Sequence, residues 1–113
     1  MKLINMTGTQ LDYIISGLHT AFDRCVEDYE AKLADMRASG ATYDELHEIR
    51  EEYEAVRTAI NSLIEDADDA RWLWHYRNVP RAATVLDTIV GSDGKTSVQR
   101  NEARAAEITA RLS

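Results

Sequence analysis

Two apolar seams, each alternating spacings of three and four residues, constrain this chain more than any other feature. The first runs through Leu11, Ile15, Leu18, Phe22, Cys25, Tyr29, Lys32 and Met36. Seven of its eight positions are apolar, and Leu33 sits beside the exception. The second runs through Leu46, Ile49, Tyr53, Val56, Ile60, Leu63, Ala67, Ala70 and Trp74. Such a period gathers the residues on one stripe of an α-helix, as in a coiled coil.

Local signals place the ends of both helices. Thr9 precedes the first seam and offers a cap, with Asp12 near the positive end of the helix. Ser39-Gly40 closes that helix, because glycine tolerates the left-handed conformation at a helix end. Gly17 within it leaves room for close approach by another segment. Thr42-Tyr43-Asp44-Glu45 is a capping box that starts the second helix. Glu65, Asp66, Asp68 and Asp69 look like its end, yet carboxylates oppose the negative pole of a helix. The seam also continues to Trp74, so the helix is expected to reach Asn78, where Pro80 disfavours further helix. Only a few residues separate the two helices, so they lie antiparallel.

The remainder reads as two shorter helices. Residues 81–90 place Ala82, Leu86, Ile89 and Val90 inward. Gly91-Ser92-Asp93-Gly94 is a turn. Residues 97–112 carry a thin apolar face of Val98, Ala105, Ile108 and Leu112, which needs a docking surface to be stable. The expected fold is all-α. It is a single helical domain over residues 1–113, built as an antiparallel, coiled-coil-like hairpin (9–39 and 42–78) with two short C-terminal helices (81–90 and 97–112) packed on it. A lone hairpin leaves flanking residues such as Ile14, Val26 and Ile64 wet, and a two-fold homodimer would cover them.

Composition narrows the function classes. No apolar run approaches the roughly 20 residues of a membrane span, and the opening residues are too short for the apolar core of a secretory signal. A single cysteine, Cys25, excludes an internal disulfide framework and a multi-cysteine zinc site, so a cytoplasmic setting is the default. The net charge of −7 is unevenly spread: residues 1–70 hold 16 carboxylates and six cations, and residues 71–113 hold four and seven. An acidic body repels phosphates and argues against direct nucleic-acid binding.

Motif by motif, no catalytic set converges. Cys25 lies on the seam among Asp23, Glu27 and Asp28, where a thiolate is disfavoured. His19, His47 and His75 are scattered, and metal sites need three or four converging ligands. Glu48-x-x-Glu51-Glu52 followed by Glu65-x-x-Asp68 is similar to the magnesium-binding pattern of the all-α nucleotide pyrophosphohydrolases. Here both groups fall on one helix, about 25 Å apart, too far to share an ion. Gly91 to Thr96 ends like a phosphate loop but lacks the leading glycine and the preceding strand. Neither an enzyme, a metal nor a cofactor is expected.

The most unusual stretch is Arg71 to Arg81. It holds three of the eight aromatics, Trp72, Trp74 and Tyr76, among Arg71, Arg77 and Arg81. Trp, Tyr and Arg dominate interface hot spots. Trp74 belongs to the seam, whereas Trp72 and Tyr76 point off it. The expected function is therefore a non-enzymatic helical protein–protein interaction module, a small inhibitor among its forms, binding a protein partner through Trp72, Tyr76, Arg71 and Arg77. The first alternative is an acidic nucleic-acid mimic that occupies the groove of a basic nucleic-acid-binding protein through Glu45, Glu48, Glu52, Glu65, Asp66, Asp68 and Asp69. In size and charge the chain resembles the small acidic anti-restriction and anti-CRISPR inhibitors of phages and mobile elements. The second alternative is a DNA-binding regulator that uses Lys95, Arg100, Arg104 and Arg111 of the C-terminal helices.

Overall fold

The computed structural model describes residues 2–82 and 84–113. The described residues form three α-helices: α1 (Gly8–Ala38), α2 (Tyr43–Asn78) and α3 (Ser97–Leu112). Short 3-10 turns lie at Leu3–Asn5 and Val85–Thr88. No strand occurs among the described residues. The fold is all-α, with α1 and α2 packed against each other as an antiparallel hairpin. No helix is long and apolar enough to cross a membrane among the described residues.

The hairpin turn is built from the residues expected to build it. The Ala41 N–H donates to Met36 O at 2.9 Å and the Gly40 N–H to Arg37 O at 3.2 Å, while Gly40 takes a φ of 75°. This arrangement satisfies the orphan carbonyls of α1 and requires a residue at ease with positive φ. Thr42 Oγ1 then accepts from the Glu45 N–H at 3.3 Å and caps α2.

The cap of α1 lies two residues earlier than the expected Thr9. The Gln10 N–H donates to Thr7 Oγ1 at 3.3 Å, and the Thr7 N–H donates to Gln10 Oε1 at 3.0 Å. Thr7-x-x-Gln10 satisfies two backbone donors reciprocally, and Thr9 lies inside α1.

Contacts divide the chain into two compact units. One is Tyr13–Glu65; the other joins the residues through Asp12 to Asp66–Ser113. In Tyr13–Glu65, Tyr29 of α1 stacks on Tyr53 of α2 with ring centroids 4.1 Å apart. Only Ile15 and Ile49 of this unit are buried apolar residues. Val56 and Leu63, expected on the buried seam, are half exposed. Two helices offer each other one face, and nothing within the unit covers the next one.

The other unit holds the denser core. Leu73, Ala105 and Ile108 are buried, and Ile4, Trp72, Tyr76 and Leu112 pack against them. Leu11, Ala67 and Ala70 are buried as well. Gly8 lies so close to Trp74 that an added Cβ would come within 2.8 Å of the ring. The last helix expected from sequence is present as α3, with Thr96 as its cap. Its face is Ala105, Ile108 and Leu112; Val98, expected inward, is half exposed.

The helix expected over residues 81–90 does not form. Only Val85–Thr88 turns, and Ala82, Leu86, Ile89 and Val90 are exposed rather than inward. Ala83 lies outside the described residues. The physical reason is Asp87, the buried residue of this turn. Its carboxylate is the anchored side of the turn, so the apolar neighbours face away. The two short C-terminal helices expected thus reduce to one α-helix and one 3-10 turn.

Candidate functional site

The aromatic-arginine stretch sits at the C-terminal end of α2, facing α3. Trp72 and Tyr76 are one helical turn apart and stack with ring centroids 5.1 Å apart. The Arg104 guanidinium of α3 lies 4.2 Å from the centre of the Trp72 ring. Tyr76 Oη donates to Glu102 Oε1 at 2.6 Å. That bond, then burial, then the carboxylate charge raise the phenol above its ordinary pKa. Arg77 donates to Thr109 Oγ1 at 2.8 Å, and Arg71 bridges Asp12 (3.2 Å) and Asp68 (2.9 Å). All four residues singled out from sequence therefore make contacts within their own unit. An open cavity of about 960 Å³ lies beside them, with His75, Arg81 and Asn101 on its walls.

Asp87 is the residue that sequence reading passed over. Its carboxylate accepts from the Thr84 N–H at 2.7 Å, from Ser97 Oγ at 3.1 Å and from Arg81. The Thr84 N–H bond is the main influence holding its pKa below the ordinary carboxylate value. Burial opposes this, and Ser97 and Arg81 assist it. The signal was available: Thr84-x-x-Asp87 has the spacing of a capping box. Around this anchor Val85 is 81% exposed and Leu86 72%, and Ile89 and Val90 are more than half exposed.

The turn at Gly91 to Thr96 is closed on itself. The Gly91 N–H donates to Lys95 O at 2.8 Å, the Gly94 N–H to Gly91 O at 3.0 Å and the Lys95 N–H to Asp93 Oδ1 at 3.1 Å. The backbone donors of Gly91, Gly94, Lys95 and Thr96 are thereby committed within the turn and the cap of α3. Arg100 reaches back to Asp93 and to Lys95 O.

The acidic residues divide into two groups. Asp66 pairs with Arg111, Asp69 with Arg104 and Arg111, and Asp68 with Arg71. These pairs explain how α2 passes through an acidic run without ending. Glu45, Glu48, Glu52 and Glu65 are exposed and make no ion pair among the described residues. Tyr13–Glu65 carries 12 carboxylates and five cations, and the rest of the chain carries eight of each. The whole net charge of −7 thus belongs to one unit.

That unit also has an open groove of about 550 Å³ between α1 and α2. Gly17, Ala21 and Cys25 line its α1 wall, and Ile49, Val56 and Ile60 its α2 wall. Gly17, expected to admit a neighbouring segment, has nothing of its own chain within 4 Å of a built Cβ. Cys25 is half-buried here. No group of three or more His, Cys, Asp and Glu side chains gathers for a metal among the described residues. α2 is unbroken between Glu48 and Glu65, so those carboxylates stay about 25 Å apart.

Compared with known proteins, the chain matches no family model, no curated protein and no solved structure.

Proposed function

We propose that this chain is a non-enzymatic protein-interaction module that offers the segment around Val85–Val90 to the apolar cleft of a protein partner. One observation carries the reading: Val85, Leu86, Ile89 and Val90 are exposed on a segment whose carboxylate anchor, Asp87, is buried. Apolar groups clustered in water mark interaction surfaces. A loop held by a rigid scaffold meets its partner with less ordering left to do, which favours affinity. The Trp72 and Tyr76 stack then acts as support beneath the surface, since α3 packs over it.

The test is capture of partners from the source cells by tagged full-length protein, with identification by mass spectrometry. Leu86→Ser with Ile89→Ser alters only exposed side chains, so helicity and thermal midpoint should be retained. A partner held by the wild type should be lost. Equal capture by both proteins refutes the reading. Trp72→Ala is a poorer probe, because it removes packing from the core as well.

A second reading is the acidic mimic of nucleic acid, favoured by the concentration of all net charge in Tyr13–Glu65. It would use Glu45, Glu48, Glu52 and Glu65 against a basic nucleic-acid-binding protein. Reversal of Glu45, Glu48 and Glu52 to Lys should then abolish binding, and the wild-type affinity should fall steeply with salt. The DNA-binding alternative has less support, because Arg100, Arg104 and Arg111 are engaged by Asp93, Asp69 and Asp66.

A further inference from the structure

We propose that Asp93-Gly94 is the site at which this chain isomerises spontaneously to isoaspartate, and that Arg100 of α3 keeps it unreacted in the folded state. This is independent of the reading above and concerns a different segment.

Elementary chemistry singles out the site. A backbone amide nitrogen can attack the side-chain carboxyl of the aspartate that precedes it. A bond forms between that nitrogen and Cγ, and water leaves. The five-membered succinimide then takes water back and opens to aspartate or isoaspartate. The water lost is regained, so the step needs no co-reactant. It is fastest where the following residue has no Cβ to hinder the ring, which means glycine. Of the five glycines only Gly94 follows an aspartate, and none follows an asparagine. Gly94 is exposed, so water reaches the site.

The fold withholds both reacting groups. The nucleophile is the Gly94 nitrogen, which must give up its proton, and its N–H donates to Gly91 O at 3.0 Å. The electrophile is Asp93 Cγ, and its oxygen leaves readily only from a protonated carboxyl. Asp93 Oδ1 accepts from the Lys95 N–H at 3.1 Å and from Arg100 Nη1 at 3.1 Å. Both bonds favour the ionised carboxylate. The Lys95 N–H first, and the Arg100 charge after it, hold this carboxyl below its ordinary pKa against the opposing effect of burial. Arg100 also donates to Lys95 O at 3.0 Å, so one guanidinium joins the carboxylate to the residue that closes the turn. Gly91 leaves room for it: an added Cβ there would lie 2.7 Å from Arg100 Nη1 and 3.1 Å from Asp93 Oδ1. Ring closure therefore requires the turn to open and Arg100 to withdraw.

The consequence falls on α3. Isomerisation reroutes the main chain through the Asp93 Cβ and lengthens it by one methylene. That change lies inside the turn closed by the Gly91 N–H to Lys95 O bond of 2.8 Å. Lys95 directly precedes Thr96, the cap of α3.

The experiment is prolonged incubation of the full chain at mildly acidic pH, in native buffer and in guanidinium chloride. Isoaspartate is quantified by enzymatic methylation and located by peptide mapping with mass spectrometry. In denaturant it should accumulate at Asp93. In native buffer it should form at least about tenfold more slowly. Native Arg100→Ala should react about two- to fivefold faster than wild type, with helicity retained by circular dichroism, and Arg100→Lys should recover part of the protection. In denaturant all three proteins should react at one rate. Equal native and unfolded rates for wild type overturn the proposal, as does a native Arg100→Ala rate equal to that of wild type. Isoaspartate that arises first at another aspartate overturns the assignment of the site.

Discussion

Ser97 Oγ, in the first turn of α3, donates a 3.1 Å hydrogen bond to Asp87 Oδ1. This bond ties the exposed apolar segment to the start of the last helix. Asp87 has its pKa lowered in the folded protein, first by the Thr84 N–H. A carboxyl whose folded value lies below its unfolded value of about 3.9 stabilises the fold fully above that value. The contribution is lost as pH falls through the folded value. Asp87→Asn should therefore lower the urea midpoint at neutral pH, and the gap from wild type should close as pH drops below about 4. Asp93, lowered chiefly by the Lys95 N–H, acts with the same sign, so the comparison is made between single variants.

The opposite limb belongs to Tyr76. Its phenol is raised by the hydrogen bond to Glu102, by burial and by that carboxylate's charge. A raised phenol stabilises fully below its unfolded value of about 10 and loses this effect as pH rises through the folded value. Tyr76→Phe should remove part of the loss of stability seen in denaturation above about pH 10. Loss that is unchanged in the variant would place its origin elsewhere.

Arg104 stacks on Trp72 at the surface of the α3 interface. Arg104→Ala should cost about 0.5–1 kcal/mol for the cation–π contact, plus a small part from the long 3.5 Å pair with Asp69. Arg104→Lys keeps charge but loses planar stacking, so it should recover only part of the loss. Chemical denaturation of the three proteins at one pH reads the difference.

Burial separates leucines that look alike in sequence. Leu73 is 2% exposed and Leu63 50%. Leu73→Ala should cost about 2–5 kcal/mol by leaving a cavity, whereas Leu63→Ala should cost about 1 kcal/mol or less when measured at concentrations that keep the chain monomeric. Similar losses at both sites would contradict the placement of the core.

Helix caps provide the last test. Thr7→Ala and Thr96→Ala should each cost about 1 kcal/mol, because each hydroxyl accepts from a backbone N–H three residues on. Thr9→Ala, already inside α1, should stay within about 0.5 kcal/mol. Thermal midpoints of the three variants decide it.

Much of the architecture was legible before any coordinates. The seams through Leu11 and Leu46, the Thr42 cap and the stop at Pro80 are local signals, and they located both long helices. α3 was legible from its thin apolar face. Misreadings arose where the outcome depended on distant partners. The segment at residues 81–90 has a helical apolar pattern, but Asp87 finds Ser97 and Arg81, and that anchor turns Leu86 and Ile89 outward. Trp72 and Tyr76 were legible as unusual residues, whereas their engagement by Arg104 and Glu102 required knowing where α3 docks.

By itself the sequence determined the two long helices and α3, where the chain reverses, and that an acidic run could lie inside α2. Each of these follows from interactions within a few residues. Only the tertiary structure decided which parts of the seams are covered, that Arg71, Arg104 and Arg111 neutralise Asp66, Asp68 and Asp69, and that all net charge remains on Tyr13–Glu65. Periodicity sets the direction in which a side chain points. Whether it meets protein or water depends on segments far away along the chain.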